Sequence, residues 1–304
     1  MFFAFIAAGH LLGFLALSWL VTLIFRSKFS SDKARLLTTV IAGCVLCAVY
    51  ITGAMINAYS VQRTDYAFST DKLSEQGSLR IALISDCHLG AALDGERLEQ
   101  QIGRISACQP DILAVTGDLV DSGTSREDML AACAALGKAD TALGVYFVPG
   151  NHDGGNAYFS EKELYDALER NGITVLADES VLIEDSFYLC GRKDAYDRSR
   201  ASIDKLLEPL DMDKYIIVLD HQPTDYEAEA HSGADLVLSG HTHGGQLLPL
   251  NLALVPMGFC DKVYGHSDID GTHFVVTSGI GALKVPLRTG TPTEFVIIDI
   301  SQEQ

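Results

Sequence analysis

The segment LRIALISDCH, residues 79–88, joins a short apolar run to two polar side chains that follow it directly. Residues 79–85 have the length and composition of one buried β-strand. Residues two apart on an extended chain point to the same side, so we predict that Asp86 and His88 project together. Cys87 is then expected to point into the core, although a reactive thiol beside the polar pair is the alternative.

Similar apolar runs recur along the chain and predict a sheet-rich α/β fold. Between the early runs lie segments of helical pattern at 93–107, 126–138 and 160–171, which is the rhythm of strand–helix–strand units. The last third is richer in strands, which favours two sheets packed face to face with helices outside over one doubly wound sheet. The further predicted strands are 112–116, 144–148, 187–190, 215–219, 235–238, 274–277 and 295–300.

Polar side chains follow five of these strands at the point where each strand ends. Ligands and substrates bind at the carboxyl ends of strands in α/β folds, so these side chains are expected at one rim. Five of the nine histidines belong to this set. Its members are Asp86, His88, Asp118, Asn151, His152, Asp153, Asp220, His221, His241 and His243.

Imidazole and carboxylate groups are ligands of borderline divalent cations, and four histidines, two aspartates and one asparagine exceed the needs of one ion. Two ions that share a ligand suit the set better. Such a pair, about 3.5 to 4 Å apart, can hold a bridging hydroxide and clamp the attacking and leaving oxygens of a displacement at phosphorus. Any one of these histidines could instead be a hydrogen-bonded structural residue. Jointly, the pattern predicts phosphoester hydrolysis.

The chain resembles the calcineurin-like metallophosphoesterases in five blocks that occur in the family's order and span about residues 79 to 300. The resemblance implies a four-layer α/β/β/α fold for a domain over residues 79–304. The extension to GHTHGGQ, residues 240–246, is similar to the membrane-anchored branch typified by YaeI and YkuE. The blocks are Asp86-x-His88, Gly117-Asp118, Gly150-Asn151-His152-Asp153, His221 and Gly240-His241-Thr242-His243.

The family pattern also implies a role for each matching residue. His152 would be the general acid that protonates the leaving group, and Asp153 would orient its ring. Asn151 and His152 would contact the substrate phosphoryl group. The implied ligands are Asp86, His88 and His243 for the first metal, Asn151, His221 and His241 for the second, and Asp118 as the bridge between them.

Two details of the site follow from the same resemblance. In the late block, Ser278-Gly279-Ile280-Gly281, members of the branch commonly carry an arginine after the serine, whereas this chain has Gly279. Arg288 is therefore the remaining candidate for a phosphate contact. Mn²⁺ is the expected metal, although Fe and Zn²⁺ accept the same ligands.

Residues 1–25 and 36–59 contain no Asp, Glu, Lys or Arg, and each run exceeds the roughly 20 residues that cross a bilayer. We predict a two-helix transmembrane anchor over residues 1–59. The alternative for the first run is a cleaved signal peptide. A signal peptide begins with basic residues directly after Met1, which are absent here, and a second span comes soon after the first. Residues 60–78 are polar and unpatterned, which indicates a juxtamembrane linker.

The loop between the two spans, residues 26–35, carries four basic residues and one acidic residue. By the positive-inside rule this loop lies in the cytoplasm. A multi-pass protein of the cell membrane with an extracytoplasmic catalytic domain is the resulting expectation. His10 lies inside the first span, where an ionisable group is costly unless it is neutral or paired.

The formal net charge is −18, and the acidic excess lies in the soluble part because residues 1–64 are basic overall. Such a surface repels phosphate backbones, so nucleic acid is not an expected partner. The seven cysteines form no CxxC pair outside the second span, so neither a disulfide framework nor a zinc ribbon is indicated.

The sequence thus favours a membrane-anchored, metal-dependent phosphodiesterase. A catalytically silent binding protein on the same fold is the alternative. It predicts that some metal ligands are absent from the sequence, whereas all of the implied metal ligands are present. A transporter would need more helices and more charges within the membrane. The anchor makes phospholipid-like or lipid-linked phosphodiesters candidate substrates, unless the spans merely localise the enzyme.

Overall fold

The computed structural model describes residues 2–73 and 77–303 and begins with two long apolar helices, α1 (Phe2–Ile24) and α2 (Asp32–Tyr59). Ser31 caps α2 by accepting a hydrogen bond from the Ala34 amide. Both helices are long and apolar enough to cross a membrane. They lie where the sequence predicted two spans, and their insertion into a bilayer stays a prediction.

The two helices pack closely against each other. The Thr22 and Thr39 hydroxyls form a hydrogen bond of 2.7 Å between them. A Cβ added to Gly43 would lie only 2.7 Å from Leu15 Cδ2, so glycine allows the close approach. Small and hydroxyl residues at a helix contact are typical of membrane helix pairs.

Twelve strands of the described chain form two six-stranded sheets. In the first sheet β2 to β5 run parallel, and the last strand of the chain joins them antiparallel to β2. The order of the first sheet is β1 (Val61–Thr70), β12 (Thr293–Gln302), β2 (Ser78–Ile84), β3 (Ile112–Thr116), β4 (Gly144–Val148) and β5 (Ile173–Val175). The order of the second is β10 (Gly265–Ile269), β11 (Thr272–Val276), β9 (Leu236–Ser239), β8 (Tyr215–Leu219), β7 (Phe187–Gly191) and β6 (Glu179–Ile183).

Helices cover the outer face of each sheet. The helices α3 (Gly95–Ser106), α4 (Arg126–Leu136) and α5 (Glu161–Arg170) flank the first sheet, and the short α6 (Ile203–Leu207) and α7 (Tyr226–His231) flank the second. Asp94, Ser125 and Ser160 cap the three longer helices through their side chains.

Three apolar cores separate the layers. Leu98 and Ile102 of α3 are buried against Ile84 and Val115 of the first sheet, because i, i+4 spacing places them on one helix face. Ile81 and Leu83 point the other way along β2 and meet side chains of the second sheet. A third core lies beneath α6 and α7. The predicted helix–sheet–sheet–helix sandwich is confirmed.

The predicted linker at residues 60–78 is wrong in its first half. β1 is a ten-residue strand that pairs in parallel with β12, from Val61 opposite Thr293 to Thr70 opposite Gln302. Tyr66 and Phe68 alternate with polar residues and pack against the core between the sheets. β1 is an edge strand with a polar outer face, and its partner lies more than 200 residues away, so local composition resembles a linker.

Several short elements after β1 are not predicted from the sequence patterns. β5, β6 and β10 have three to five residues each, and α6 and α7 have five and six. Such short elements carry too few residues to establish a hydrophobic period. They lie at sheet edges or on the outer surface.

Direct hydrogen bonds join the end of α2 to the domain. Asn57 Nδ2 donates to the carbonyl oxygens of Thr291 at 2.7 Å and Arg288 at 3.2 Å. The Tyr50 and Thr289 hydroxyls are 3.0 Å apart. The helix pair is therefore attached to the domain through side chains as well as through the chain itself.

Candidate metal centre

The predicted site residues follow strands of both sheets at one rim of the sandwich. Asp86 and His88 follow β2, Asp118 follows β3, and Asn151 lies three residues after the end of β4. From the second sheet, His221 follows β8, and His241 and His243 follow β9. Parallel strands end at a common edge, so residues far apart in sequence meet there.

Asp86, His88 and His243 form the first cluster of possible metal ligands, and all three are buried. The Nε2 atoms of His88 and His243 are 3.0 Å apart. Asp86 Oδ1 lies 3.4 Å from His243 Nε2 and 3.9 Å from His88 Nε2. These atoms converge on one point between the two sheets.

Asp118, His221 and His241 form a second cluster beside the first. Asp118 Oδ2 lies 3.3 Å from His221 Nε2 and 3.4 Å from His88 Nε2, so this carboxylate faces both clusters. His241 Nδ1 is 3.3 Å from His221 Nε2. The other nitrogen of His221 bonds the Thr116 carbonyl oxygen at 2.7 Å, which fixes the ring orientation.

The donor set fits a cation in each cluster. Metal–ligand bonds of about 2.0 to 2.2 Å place neighbouring ligand atoms roughly 3 to 3.4 Å apart, which is the spacing of these imidazole nitrogens. Among the described residues, the Nδ1 atoms of His88 and His243 are buried without a hydrogen-bond partner. Their Nε2 atoms face each other and acidic oxygens, an arrangement that a positive ion would satisfy.

Burial controls the charge of His88, His241 and His243. It lowers the pKa of His88 and of His241 to about 4 and lowers the pKa of His243 well below its usual range. The three rings are therefore neutral at neutral pH and keep a lone pair for a cation.

The pKa values of the two carboxylates shift in opposite directions. Burial raises the pKa of Asp86 to about 6, and the nearby Asp118 charge adds to that rise. Burial alone would raise the pKa of Asp118 as well, but His221 and His88 outweigh it and hold that pKa below its usual range. A bound cation would favour the ionised form of both groups.

The backbone at the site is not extended, so alternation along a strand does not explain the directions of the Asp86 and His88 side chains. Left-handed conformations of residues other than glycine typically cost about 1–3 kcal/mol each and cluster at functional sites. Hydrogen bonds between loops hold this backbone, such as those from the Asp86 amide to Gly117 O and from the His88 amide to Asp118 O. The residues with positive φ are Asp86 (55°), His88 (41°), Asp118 (54°), His241 (68°) and His243 (52°).

Two glycines allow the loops to approach one another. A Cβ on Gly240 would overlap the Ser85 hydroxyl and lie 2.5 Å from Asp86 Oδ2. A Cβ on Gly150 would overlap Asp118 Oδ1. Any larger residue at either position would displace a carboxylate of the site.

His152 lies next to the first cluster, but its orienting carboxylate is not the predicted one. Its Nδ1 atom is 3.0 Å from Asp121 Oδ1. The Asp153 carboxylate instead accepts hydrogen bonds from the backbone amides of Asp118 at 2.7 Å and Gly150 at 2.8 Å. Asp153 is fully buried and holds the loop backbones in place. The prediction that Asp153 orients the His152 ring is therefore wrong.

Asp121 is the residue that sequence analysis missed. Its only signal was its position three residues after Asp118, in the same loop. The hydrogen bond to Asp121 raises the pKa of His152, and the same bond lowers the pKa of Asp121. This pair therefore favours the protonated form of His152.

Arg288 does not face the site as a phosphate ligand, which overturns its predicted contact. Its guanidinium is fully buried and donates to the carbonyl oxygens of His243 at 3.0 Å, Gly281 at 2.6 Å and Ser278. Because its donors point at backbone carbonyls, this arginine fastens the His243 loop to the late block.

Asn151 and Cys87 complete the predicted set. Asn151 Oδ1 is 3.4 Å from Gln222 Nε2, so its amide lies next to the segment that carries His221. Cys87 is fully buried in the core beneath α3, and burial raises the pKa of its thiol well above the usual value. The thiol therefore points away from the metal centre.

Comparison with known proteins gives a consistent result. A family model described as calcineurin-like phosphoesterase matches residues 79–245. An uncharacterized metallophosphoesterase of Aquifex aeolicus is 32% identical over 251 residues, which cover 81% of this chain and 94% of the relative.

Two further relatives are longer than this chain. An uncharacterized metallophosphoesterase of Helicobacter pylori is 32% identical over 235 residues, 75% of this chain and 60% of the relative. A transmembrane protein with metallophosphoesterase domain of Danio rerio is 31% identical over 281 residues, 87% of this chain and 63% of the relative. The chain thus spans less than two thirds of the length of both.

Proposed function

The chain belongs to the calcineurin-like phosphoesterase family, and we propose on that premise that it is a membrane-anchored phosphodiesterase that uses two metal ions. The observation that supports this most strongly is the pair of ligand clusters with Asp118 between them. A family resemblance alone leaves open whether the site is complete, whereas this arrangement supplies ligands for both ions.

The two clusters support the ligand roles that the resemblance implies. Asp86, His88 and His243 would hold one ion, and His221 and His241 would hold the other with Asn151. When bound, the two ions would act as Lewis acids on the phosphoryl group and make water a stronger nucleophile. Mn²⁺ is the proposed metal, with Fe or Zn²⁺ as alternatives.

His152 is the proposed general acid. Asp121 favours its protonated form, and the ring borders both His88 and the Asp118 carboxylate. A proton delivered from this ring to the departing alkoxide would typically contribute about 10² to 10⁴-fold to the rate. Asp153 has no part in that proton transfer. Its carboxylate fixes the loop backbones through hydrogen bonds from the Asp118 and Gly150 amides.

The membrane anchor gives the proposed enzyme its place and its substrate class. We assign it to the membrane-anchored branch typified by YaeI and YkuE, because GHTHGGQ and two apolar helices occur together. Lipid phosphodiesters or lipid-linked phosphodiesters are the proposed substrates. The Danio rerio relative, whose name joins a transmembrane segment to a metallophosphoesterase domain, supports the same arrangement.

Removal and return of metal tests the proposal. The full chain in detergent micelles should lose hydrolysis of an aryl phosphodiester on chelation and regain it with one of Mn²⁺, Fe²⁺ or Zn²⁺. Asp118→Asn should lower the content of both ions in elemental analysis, because one carboxylate serves two clusters. A folded, metal-treated protein that binds one ion or none and cleaves no phosphoester would refute the proposal.

The general-acid role has its own test. His152→Ala should lower kcat by about 10² to 10⁴-fold on an alkyl phosphodiester, whose leaving group needs a proton. An aryl diester with an activated leaving group should lose far less. Equal losses on the two substrates would remove His152 from the acid role.

A further inference from the structure

The segment LLPLNLALVPMGF, residues 247–259, contains no charged side chain and no histidine. We call it the apolar loop. It follows the block that carries His243 and consists of turns, with one short 3₁₀ segment at Leu250–Leu252. No part of the proposed catalysis uses it.

Several large apolar side chains of this loop are exposed. Leu252 is 71% exposed, Met257 65% and Phe259 58%. Leu248 and Val255 add further exposed apolar surface. Soluble proteins rarely leave a contiguous apolar patch of this kind uncovered, so the surface is expected to meet an apolar partner.

The apolar loop lies beside the two long helices. Leu247 is buried together with Ala54 of α2, and Ile6 of α1 and Ile51 of α2 pack against the same cluster. The Tyr50 hydroxyl of α2 forms a hydrogen bond with the Thr289 hydroxyl. The same Thr289 hydroxyl accepts a hydrogen bond from the Leu248 amide at 2.8 Å. The loop that carries the exposed side chains therefore begins in contact with α1 and α2.

The length of α2 places the apolar loop at the level of a membrane interface. With 28 residues α2 is about 42 Å long, whereas the hydrocarbon core of a bilayer is only about 30 Å thick. If that core begins after Arg35, about 20 residues bring it to roughly residue 55. Ile51 and Ala54, which pack near Leu247, then lie at the far boundary of the core.

The backbone of the apolar loop is compatible with such a position. The amides of Leu252, Met257 and Phe259 donate to Pro249 O, Ala253 O and Leu254 O, each at 3.0 Å. Local turns thus satisfy amide groups that would be costly to leave unpaired in an apolar medium. Surface elements that lie on membranes bury apolar side chains about 5 to 10 Å into the headgroup boundary.

We propose that the apolar loop inserts into the boundary of the bilayer that α1 and α2 cross. The inference rests on the membrane anchoring in the proposed function. Both ends of the apolar loop are connected to the metal centre. His243 lies four residues before the loop. Val263, four residues after the loop, accepts a hydrogen bond of 2.6 Å at its carbonyl oxygen from Thr242 Oγ1. Insertion would hold the histidine-bearing loop against the layer of lipid phosphates.

Tryptophan fluorescence in vesicles tests the insertion. Trp19 is the single tryptophan, so Trp19→Phe removes the background signal. In the full chain reconstituted in phosphatidylcholine vesicles, Met257→Trp should be quenched by brominated acyl chains. The matched control is Met212→Trp, because Met212 is 41% exposed in the turn before β8, at the opposite end of the strands.

The proposal expects quenching of Met257→Trp to be at least about twofold stronger than that of Met212→Trp. Adding Leu252→Glu should reduce that quenching, whereas Leu182→Glu on the edge strand β6 should leave it unchanged. Equal quenching at both tryptophans would overturn the proposal. So would cross-linking of Met257→Cys between two copies of the chain without quenching, because a second copy would then cover the loop.

Hydrolysis of a water-soluble aryl phosphodiester, measured on the same vesicles, separates this inference from the proposed function. Activity without quenching would refute the insertion and leave the metal centre in place. Quenching without activity would refute the phosphodiesterase and leave the insertion in place.

Discussion

His152 and Asp121 are the residues where the structure most changes the expected chemistry. The family pattern pointed to the neighbouring Asp153, yet that carboxylate is occupied by backbone amides. Asp121 approaches from the loop after β3 and contacts Nδ1 of the ring. A proton held on His152 therefore depends on a residue 31 positions earlier in the chain.

We expect Asp121→Asn to move the alkaline limb of the kcat–pH profile to lower pH. The carboxylate raises the pKa of His152, and a general acid is lost as pH rises through that pKa. Without the negative charge of Asp121, His152 loses its proton and kcat falls at a lower pH. The value of kcat at acid pH changes less. The control is Asp140→Asn, which removes the same charge from an exposed loop. An unmoved limb would exclude Asp121 from control of His152.

At the scale of the elements, a buried ion network holds the end of β8. Arg192, which follows β7, lies between Asp220 at 3.0 Å and Glu229 of α7 at 2.8 Å. Arg200 also bonds Asp220. Asp220 immediately precedes His221, so the network fixes the segment that carries a proposed metal ligand.

Arg192→Met should destabilise the protein by about 3 to 5 kcal/mol, because it leaves Glu229 buried without its cationic partner and leaves Asp220 paired with Arg200 alone. Arg126→Met is the matched control: Arg126 pairs with Glu163 but its side chain is 55% exposed, so a loss of about 0 to 1 kcal/mol is expected. Denaturant unfolding of the full chain in detergent micelles measures both. Equal small losses would show that the network contributes little to stability.

At the scale of the whole molecule, β1 joins the pair of long helices to the first sheet. It begins two residues after the end of α2 and pairs along its full length with the last strand of the chain. Thr64 of β1 also bonds the buried Glu294 of β12. The first and last thirds of the sequence therefore meet in one sheet, and no long flexible linker separates the helices from the domain.

Cysteine labelling tests the membrane orientation. In a Cys108→Ser background, Ser30→Cys in the basic loop should react with a membrane-impermeant maleimide only after cells are permeabilised. Gly123→Cys, in an exposed loop of the domain, should react in intact cells. The reverse pattern would place the catalytic domain in the cytoplasm.

Local sequence patterns are enough to predict the two long helices, the main strands and the rim of polar residues. Local patterns specify each of these: an uncharged run longer than a bilayer, apolar runs of strand length, and Asp or His directly after them. Asp86, Asp118 and His241 could be named because each follows a strand that its own residues define.

Contacts between distant segments of the chain determine which of these residues touch. β1 became a strand through pairing with residues more than 200 positions away, Asp121 replaced Asp153 beside His152, and burial turned Arg288 toward backbone carbonyls. The left-handed backbone at Asp86 and His241 is likewise held by neighbouring loops. A local pattern cannot encode such contacts, because their free energy arises only when distant segments are brought together.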